Sequence, residues 1–242
     1  MVVLALDALP AKADLLFYEG FDYSTGPLNG KVLDGDSAWS TPHEYWVVES
    51  PGATYPGMVT TGNRSENIGN SHQTRGEAGL PNNPGVTTMW STAGTYYFTY
   101  LVVDRCVISL SPGGLAQGFE MNSAPAGVNI WTYIIDGNGV GVDDEIKLVI
   151  NPGLSLGEPD WSAAVRTWSA IEVTFTQPHV VSIAGPNLAG LGDPEYLLQG
   201  GVDEIRIATT WDEAVGISVP EPATLSLLAL GGLLLRKRQK TL

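Results

Sequence analysis

Between Asp14 and about Gly216 the apolar positions recur with a period of two. In Glu145 to Asn151, Ile146, Leu148 and Ile150 fall on one face and Glu145 and Lys147 on the other. Ala170 to Thr176 repeats the pattern, with Ile171, Val173 and Phe175 opposite Glu172, Thr174 and Thr176. That is the period of a half-buried antiparallel strand. Tyr96 to Val103 and Asn129 to Ile135 are apolar on both faces, which predicts strands at the centre of a sheet or with a covered second face. Leu15 to Tyr23 and Gly201 to Trp211 are predicted to open and close the domain as strands. Turn clusters separate these runs: Ser111-Pro112-Gly113-Gly114, Asp136-Gly137-Asn138-Gly139, Asn151-Pro152-Gly153 and Gly185-Pro186-Asn187. No segment before the C-terminal tail carries a helical repeat longer than about ten residues. The expectation is one all-β domain over 14–216, an antiparallel sandwich.

Composition agrees and removes one class of function. Glycine (29) and proline (16) are abundant while charged residues make up only 16%, as in a chain of short strands and many turns. The formal charge is −14, and of 12 basic residues five lie at the ends, namely Lys12, Arg236, Lys237, Arg238 and Lys240. The acidic middle offers no Lys/Arg cluster to a phosphate backbone, so nucleic-acid binding is set aside. It suits an extracellular domain, or one that holds Ca²⁺ with carboxylates and carbonyls. The single cysteine, Cys106, excludes an intramolecular disulfide and sits in an apolar run, as a small buried hydrophobe does.

The C-terminus has three ordered parts: Pro220-Glu221-Pro222, an uncharged apolar stretch over 223–235, and a basic cluster of Arg236, Lys237, Arg238 and Lys240. The prolines keep the first part extended and accessible. As a helix the apolar stretch would measure about 20 Å, against a hydrocarbon core of about 30 Å. It reaches across with snorkelling side chains or local thinning of the bilayer. The basic cluster after it acts as a stop-transfer signal that leaves everything before it outside. This tripartite tail resembles the sorting signal of PEP-CTERM proteins. The resemblance implies that 217–242 is a sorting segment, that Pro220, Glu221 and Pro222 are the recognition motif, and that the partner is an exosortase, a membrane protease-transpeptidase. It implies a chain exported to the membrane with its domain outside, then left at the cell surface or in the extracellular matrix. At the other end, Ala11-Lys12-Ala13 fits a small-x-small cleavage site, and 1–13 reads as the remnant of a signal peptide.

The opening segment Leu15 to Tyr23, the stretch Asp143 to Pro152 and the closing Val202-Asp203-Glu204-Ile205-Arg206-Ile207 resemble laminin-G/concanavalin A-like jelly rolls. The resemblance implies that fold for the sandwich, followed by the short hydrophobic helix of the tail. It marks fold positions and no chemistry.

The residues themselves supply little chemistry. Glycan-cleaving enzymes need two facing carboxylates in a cleft. Asp203 and Glu204 are adjacent, and Glu19 and Asp22 are three apart, so regular strands would turn each pair to opposite faces. Asp143, Asp144 and Glu145 follow a Gly-rich turn and form the one candidate metal set, for Ca²⁺; no other cofactor is expected. His43, His72 and His179 are too scattered for zinc. Arg64, Glu66, His72, Arg75 and Glu77 form the densest polar cluster, read as an exposed loop or the wall of a groove. Asn63-Arg64-Ser65 is formally a glycosylation triplet. Of seven tryptophans, most are expected in the core and one or two on a ligand surface. The reading that results is a non-enzymatic surface module with adhesion or polysaccharide affinity. Its alternatives are a divergent glycan-cleaving enzyme on the same fold and a purely architectural matrix component.

Overall fold

The computed structural model describes residues 15–33, 37–40, 46–68, 75–79, 93–104, 107–111, 127–137, 144–154, 160–164, 166–171, 180–184 and 200–217. These form an all-antiparallel β structure. The strands are β1 (Leu15–Glu19), β2 (Gly26–Pro27), β3 (Val32–Leu33), β4 (Ser37–Ala38), β5 (Trp46–Glu49), β6 (Arg64–Asn67), β7 (Arg75–Gly79), β8 (Gly94–Val103), β9 (Val107–Ser111), β10 (Val128–Gly137), β11 (Asp144–Ile150), β12 (Arg166–Ile171), β13 (Val180–Ala184) and β14 (Gly201–Ala208). Among the described residues the helical elements are a 3₁₀ turn at Trp161–Ala163 and a single α turn, α1 (Trp211–Ala214).

A nine-stranded sheet runs β12-β11-β10-β8-β14-β6-β5-β2, and β1 lies beside β14. β7, β13 and β9 make a three-stranded sheet, and β3 and β4 pair as a short hairpin. The two long apolar runs are the centre. β8 and β10 pair over their whole length, from Val128 opposite Val103 to Gly137 opposite Gly94. The strands that open and close the domain are neighbours: Leu15 faces Ala208 and Glu19 faces Ile205.

Both faces of the central strands are buried. One face carries Tyr96, Phe98, Tyr100 and Val102 of β8 beside Trp131, Tyr133 and Ile135 of β10, with Phe17, Trp39 and Trp46 packed onto them. Aromatic rings interleave across this pair of strands, with Phe98 and Tyr133 stacked at 5.9 Å and Tyr100 and Trp131 tilted at 6.1 Å. The opposite face carries Tyr97, Leu101, Ile130 and Ile134. There the buried hydroxyls of Thr99 and Thr132 satisfy each other at 3.1 Å. This second face is covered by the 53–58 loop (Ala53, Tyr55, Met58), by Leu154 and Trp161, and by the segment Trp211 to Ile217.

Three details differ from the sequence expectation. Trp211 begins α1 and does not end a strand, because the chain turns at Thr209-Thr210 to lay the indole on the second face. β11 keeps Ile146 and Leu148 inside as expected, but Val149 is buried too, since that strand is also covered on both sides. β12 spans Arg166–Ile171, so only the first two residues of the predicted 170–176 strand lie in it; 172–179 fall outside the described residues.

Candidate functional site

The densest polar chemistry in the described residues sits where β1 and β14 meet the 51–63 loop. Its origin is a bulge. Asp203 pairs with Leu101 and Arg206 with Thr99, so three steps along β14 match two along β8. Glu204 absorbs the extra residue with φ 53°. The bulge undoes the alternation of a regular strand. Val202, Ile205 and Ile207 all reach the first core face, although 202 and 205 would lie on opposite faces of an unbroken strand. It also sends both neighbouring carboxylates to the same loop, which corrects the expectation that Asp203 and Glu204 diverge.

Both acids are fully buried. Asp203 accepts from the Ala53 N–H through Oδ2 at 2.7 Å and from the Glu204 N–H through Oδ1 at 2.8 Å. Glu204 Oε1 accepts from the Thr61 N–H at 2.6 Å and the Tyr18 hydroxyl at 3.2 Å. Its Oε2 accepts from Arg206 Nη2 at 2.8 Å. That same nitrogen donates to the Val59 carbonyl at 2.9 Å, and the guanidinium lies 4.7 Å from the centre of the Tyr18 ring. Tyr18 and Thr61 share a further hydroxyl bond at 2.6 Å.

Glu19, at the end of β1, is 6% exposed and closes the chain back on itself. It accepts from the Phe21 N–H at 2.6 Å, from the Tyr23 hydroxyl at 2.6 Å and from Trp39 Nε1 at 3.4 Å. Phe21, with φ 52°, turns the chain directly after the strand. The loop itself is pinched shut at two glycines. The Gly52 N–H donates to the Gly62 carbonyl at 3.2 Å, and Gly62 has φ 69°. A methyl at Gly62 would run into the Asp22 carboxylate and come 2.9 Å from the Gly20 carbonyl.

Of the three buried carboxylates Glu19, Asp203 and Glu204, Glu204 pairs with the Arg206 guanidinium, so one buried cation stands against three acids. Burial pushes Asp203 up to about 8, against its two N–H bonds, and Glu204 and Glu19 add to the rise. Asp203 therefore holds a proton at neutral pH. Burial is also the main reason Tyr18 rises to about 12. Each carboxylate oxygen of this cluster accepts at least one hydrogen bond from a donor of the chain itself. Among the described residues no group of three or more His, Cys, Asp or Glu side chains is arranged to hold a metal ion. What the arrangement does is staple the first strand, the last strand and the 51–63 loop together.

The residues singled out from the sequence fare differently. Asp143 lies outside the described residues; Asp144 pairs with Ile171 at the edge of β11, and Glu145 forms an ion pair with Lys147. His43, His72, His179 and Cys106 also lie outside them. Arg64 and Glu66 pair on β6 at 2.6 Å, whereas Arg75 and Glu77 belong to β7 of the other sheet. In the Asn63-Arg64-Ser65 triplet, the Asn63 amide donates to the Tyr23 carbonyl and the buried Ser65 hydroxyl to the Val202 carbonyl. Trp39, Trp46, Trp131 and Trp211 are core, while Trp161 is half-buried and meets Trp211 edge-on at 5.8 Å. An unbroken strand period hides the network at Asp203 and Glu204, since it turns the two acids to opposite faces. The spacing Val202, Ile205, Ile207, three then two, was its visible signal.

Ile217, the last of the described residues, packs on the second face. The chain after it decides the assignment. Residues 218–239 match the PEP-CTERM protein-sorting motif. No curated protein and no solved structure matches the chain. The PEP-CTERM motif marks an exported protein, sorted to the cell surface and processed by an exosortase. It contains Pro220, Glu221 and Pro222 and the basic Arg236, Lys237 and Arg238; Lys240 falls just beyond it. All of these and the apolar 223–235 stretch lie outside the described residues. Among the described residues no helix is long and apolar enough to cross a membrane.

Proposed function

We propose that this chain is a non-enzymatic surface module: a jelly-roll domain carried out of the cell by its PEP-CTERM tail and used there for adhesion or polysaccharide binding. The observation that supports it most is the junction at 217–218, where a β domain gives way directly to a sorting motif. The buried carboxylates Glu19, Asp203 and Glu204 also favour a non-enzymatic reading. Each accepts hydrogen bonds from the chain's own donors at 2.6–3.4 Å, as structural acids do. In the exporting cell, the chain with Pro220, Glu221 and Pro222 all changed to Ala is expected to stay in the membrane fraction unprocessed, while the natural chain reaches the surface. A glycan array read beside a reducing-sugar release assay on polysaccharides tests the domain's role. Binding without release is the expected pattern, and release would transfer the domain to the glycan-cleaving enzymes.

A further inference from the structure

The segment Trp211 to Ile217 is a cap locked onto the second sheet face. Trp211 is 3% exposed and packs on Tyr97 and Trp161, and Ala214 and Val215 are fully buried. The turn closes with two nested bonds: the Ile217 N–H donates to the Asp212 carbonyl at 3.0 Å and, inside it, the Gly216 N–H to the Glu213 carbonyl at 3.3 Å. Gly216 takes φ 64° between them, and a methyl there would strike the Arg206 guanidinium. That guanidinium cannot swing aside, because Glu204 and Val59 hold it. Ile217, one residue past the glycine, completes the cap by packing on the cluster that holds Trp211.

The sorting motif starts at the next residue. From Ile217 to Pro220 a fully extended chain covers at most about 11 Å. An enzyme that takes its substrate as an extended strand and grips about three residues ahead of Pro220, near 3.3 Å each, has to take hold of Ile217. Ile217 cannot be extended in a cleft and folded into the cap at the same time.

We propose that the Trp211–Ile217 cap is a latch on the sorting reaction: the exosortase engages Pro220-Glu221-Pro222 only after the cap has lifted from the sheet. The inference rests on the reading of 218–239 as an exosortase substrate. The cap is small and terminal, so it opens by local unfolding while the nine-stranded sheet stays intact. The rate of sorting then follows the opening equilibrium of the cap, and the motif alone does not set it.

The test uses the full chain in the exporting cell, with processing followed by pulse-chase. Inserting eight Gly/Ser residues between Ile217 and Ser218 should speed processing about tenfold or more, since the motif then clears the cap. Ile217→Ser and Trp211→Ala should speed it as well, and should add nothing once the linker is present. A linker chain processed at the natural rate would overturn the latch. Chains with Pro220, Glu221 and Pro222 changed to Ala separate the two readings, because processing that ignores this change refutes the exosortase assignment itself. The latch is then read independently on the purified full chain in detergent, by proteinase K cutting within 211–217. Ile217→Ser should be cut there about tenfold faster than the natural chain, and equal rates would overturn the proposal.

Discussion

Asp203 makes stability depend on pH in a direction opposite to that of most structural carboxylates. Its pKa rises from 3.8 to about 8 in the folded domain, mainly through burial, with Glu204 and Glu19 adding to the effect. The native state therefore keeps a proton that the unfolded chain gives up above about pH 4. Stability must fall as pH rises through that window and level off above about pH 8. One titrating group contributes about 1.4 kcal/mol per pH unit in the middle of its window, or about 3 kcal/mol between pH 5 and pH 7. Asp203→Asn removes the titration while keeping the side chain's size. Its amide turns one donor toward the Ala53 or Glu204 N–H, so the variant loses about 1–3 kcal/mol at low pH. Urea unfolding of the full chain, followed by the fluorescence of the buried Trp39, Trp46 and Trp131, gives both curves. The natural chain's lead over the variant should fall by about 3 kcal/mol from pH 5 to pH 7 and become a deficit by pH 7. Parallel curves would refute the claim that Asp203 carries a proton, and with it the charge description of the network.

Two further substitutions probe the same staple. Gly62→Ala forces a positive φ on alanine and drives its methyl into Asp22, so it should cost about 2 kcal/mol or more and lower the melting temperature by roughly 4–8 °C; an unchanged melting curve would show that the pinch is dispensable. Arg206→Met strands the buried Glu204 without its cation and should cost about 3–5 kcal/mol in urea unfolding, with Glu204→Gln added to it restoring part of the loss.

The core of the fold was legible wherever burial alone sets the residue pattern. β8 and β10 read as central strands because a strand covered on both sides has no polar face to show, and Tyr96 to Val103 and Asn129 to Ile135 show none. What covers the second face was not legible. Ala53, Tyr55 and Met58 come from a stretch whose composition reads as a plain turn region, and Trp211 follows a strand closely enough to look like its end. Period-two counting also fails at a bulge by construction. One extra residue at Glu204 reverses every face assignment after it, which hid two buried acids as a pair pointing apart. The sorting motif lies at the other extreme, since the order of its three parts along the chain carries its meaning and no tertiary contact is needed to read it.

The ladder between β1 and β14 fixes when this domain can exist. Leu15 pairs with Ala208, so the first strand waits for the last. A chain crossing a membrane from its N-terminus brings nearly the whole domain across before β14 arrives. Until then β1 waits with its backbone groups unpaired along that side, and the long loop between the two must close at the end. The sorting motif at 218–239 begins ten residues after Ala208, so the ladder closes only as that motif follows it across. The protein becomes a folded object only when its sorting signal is next in line.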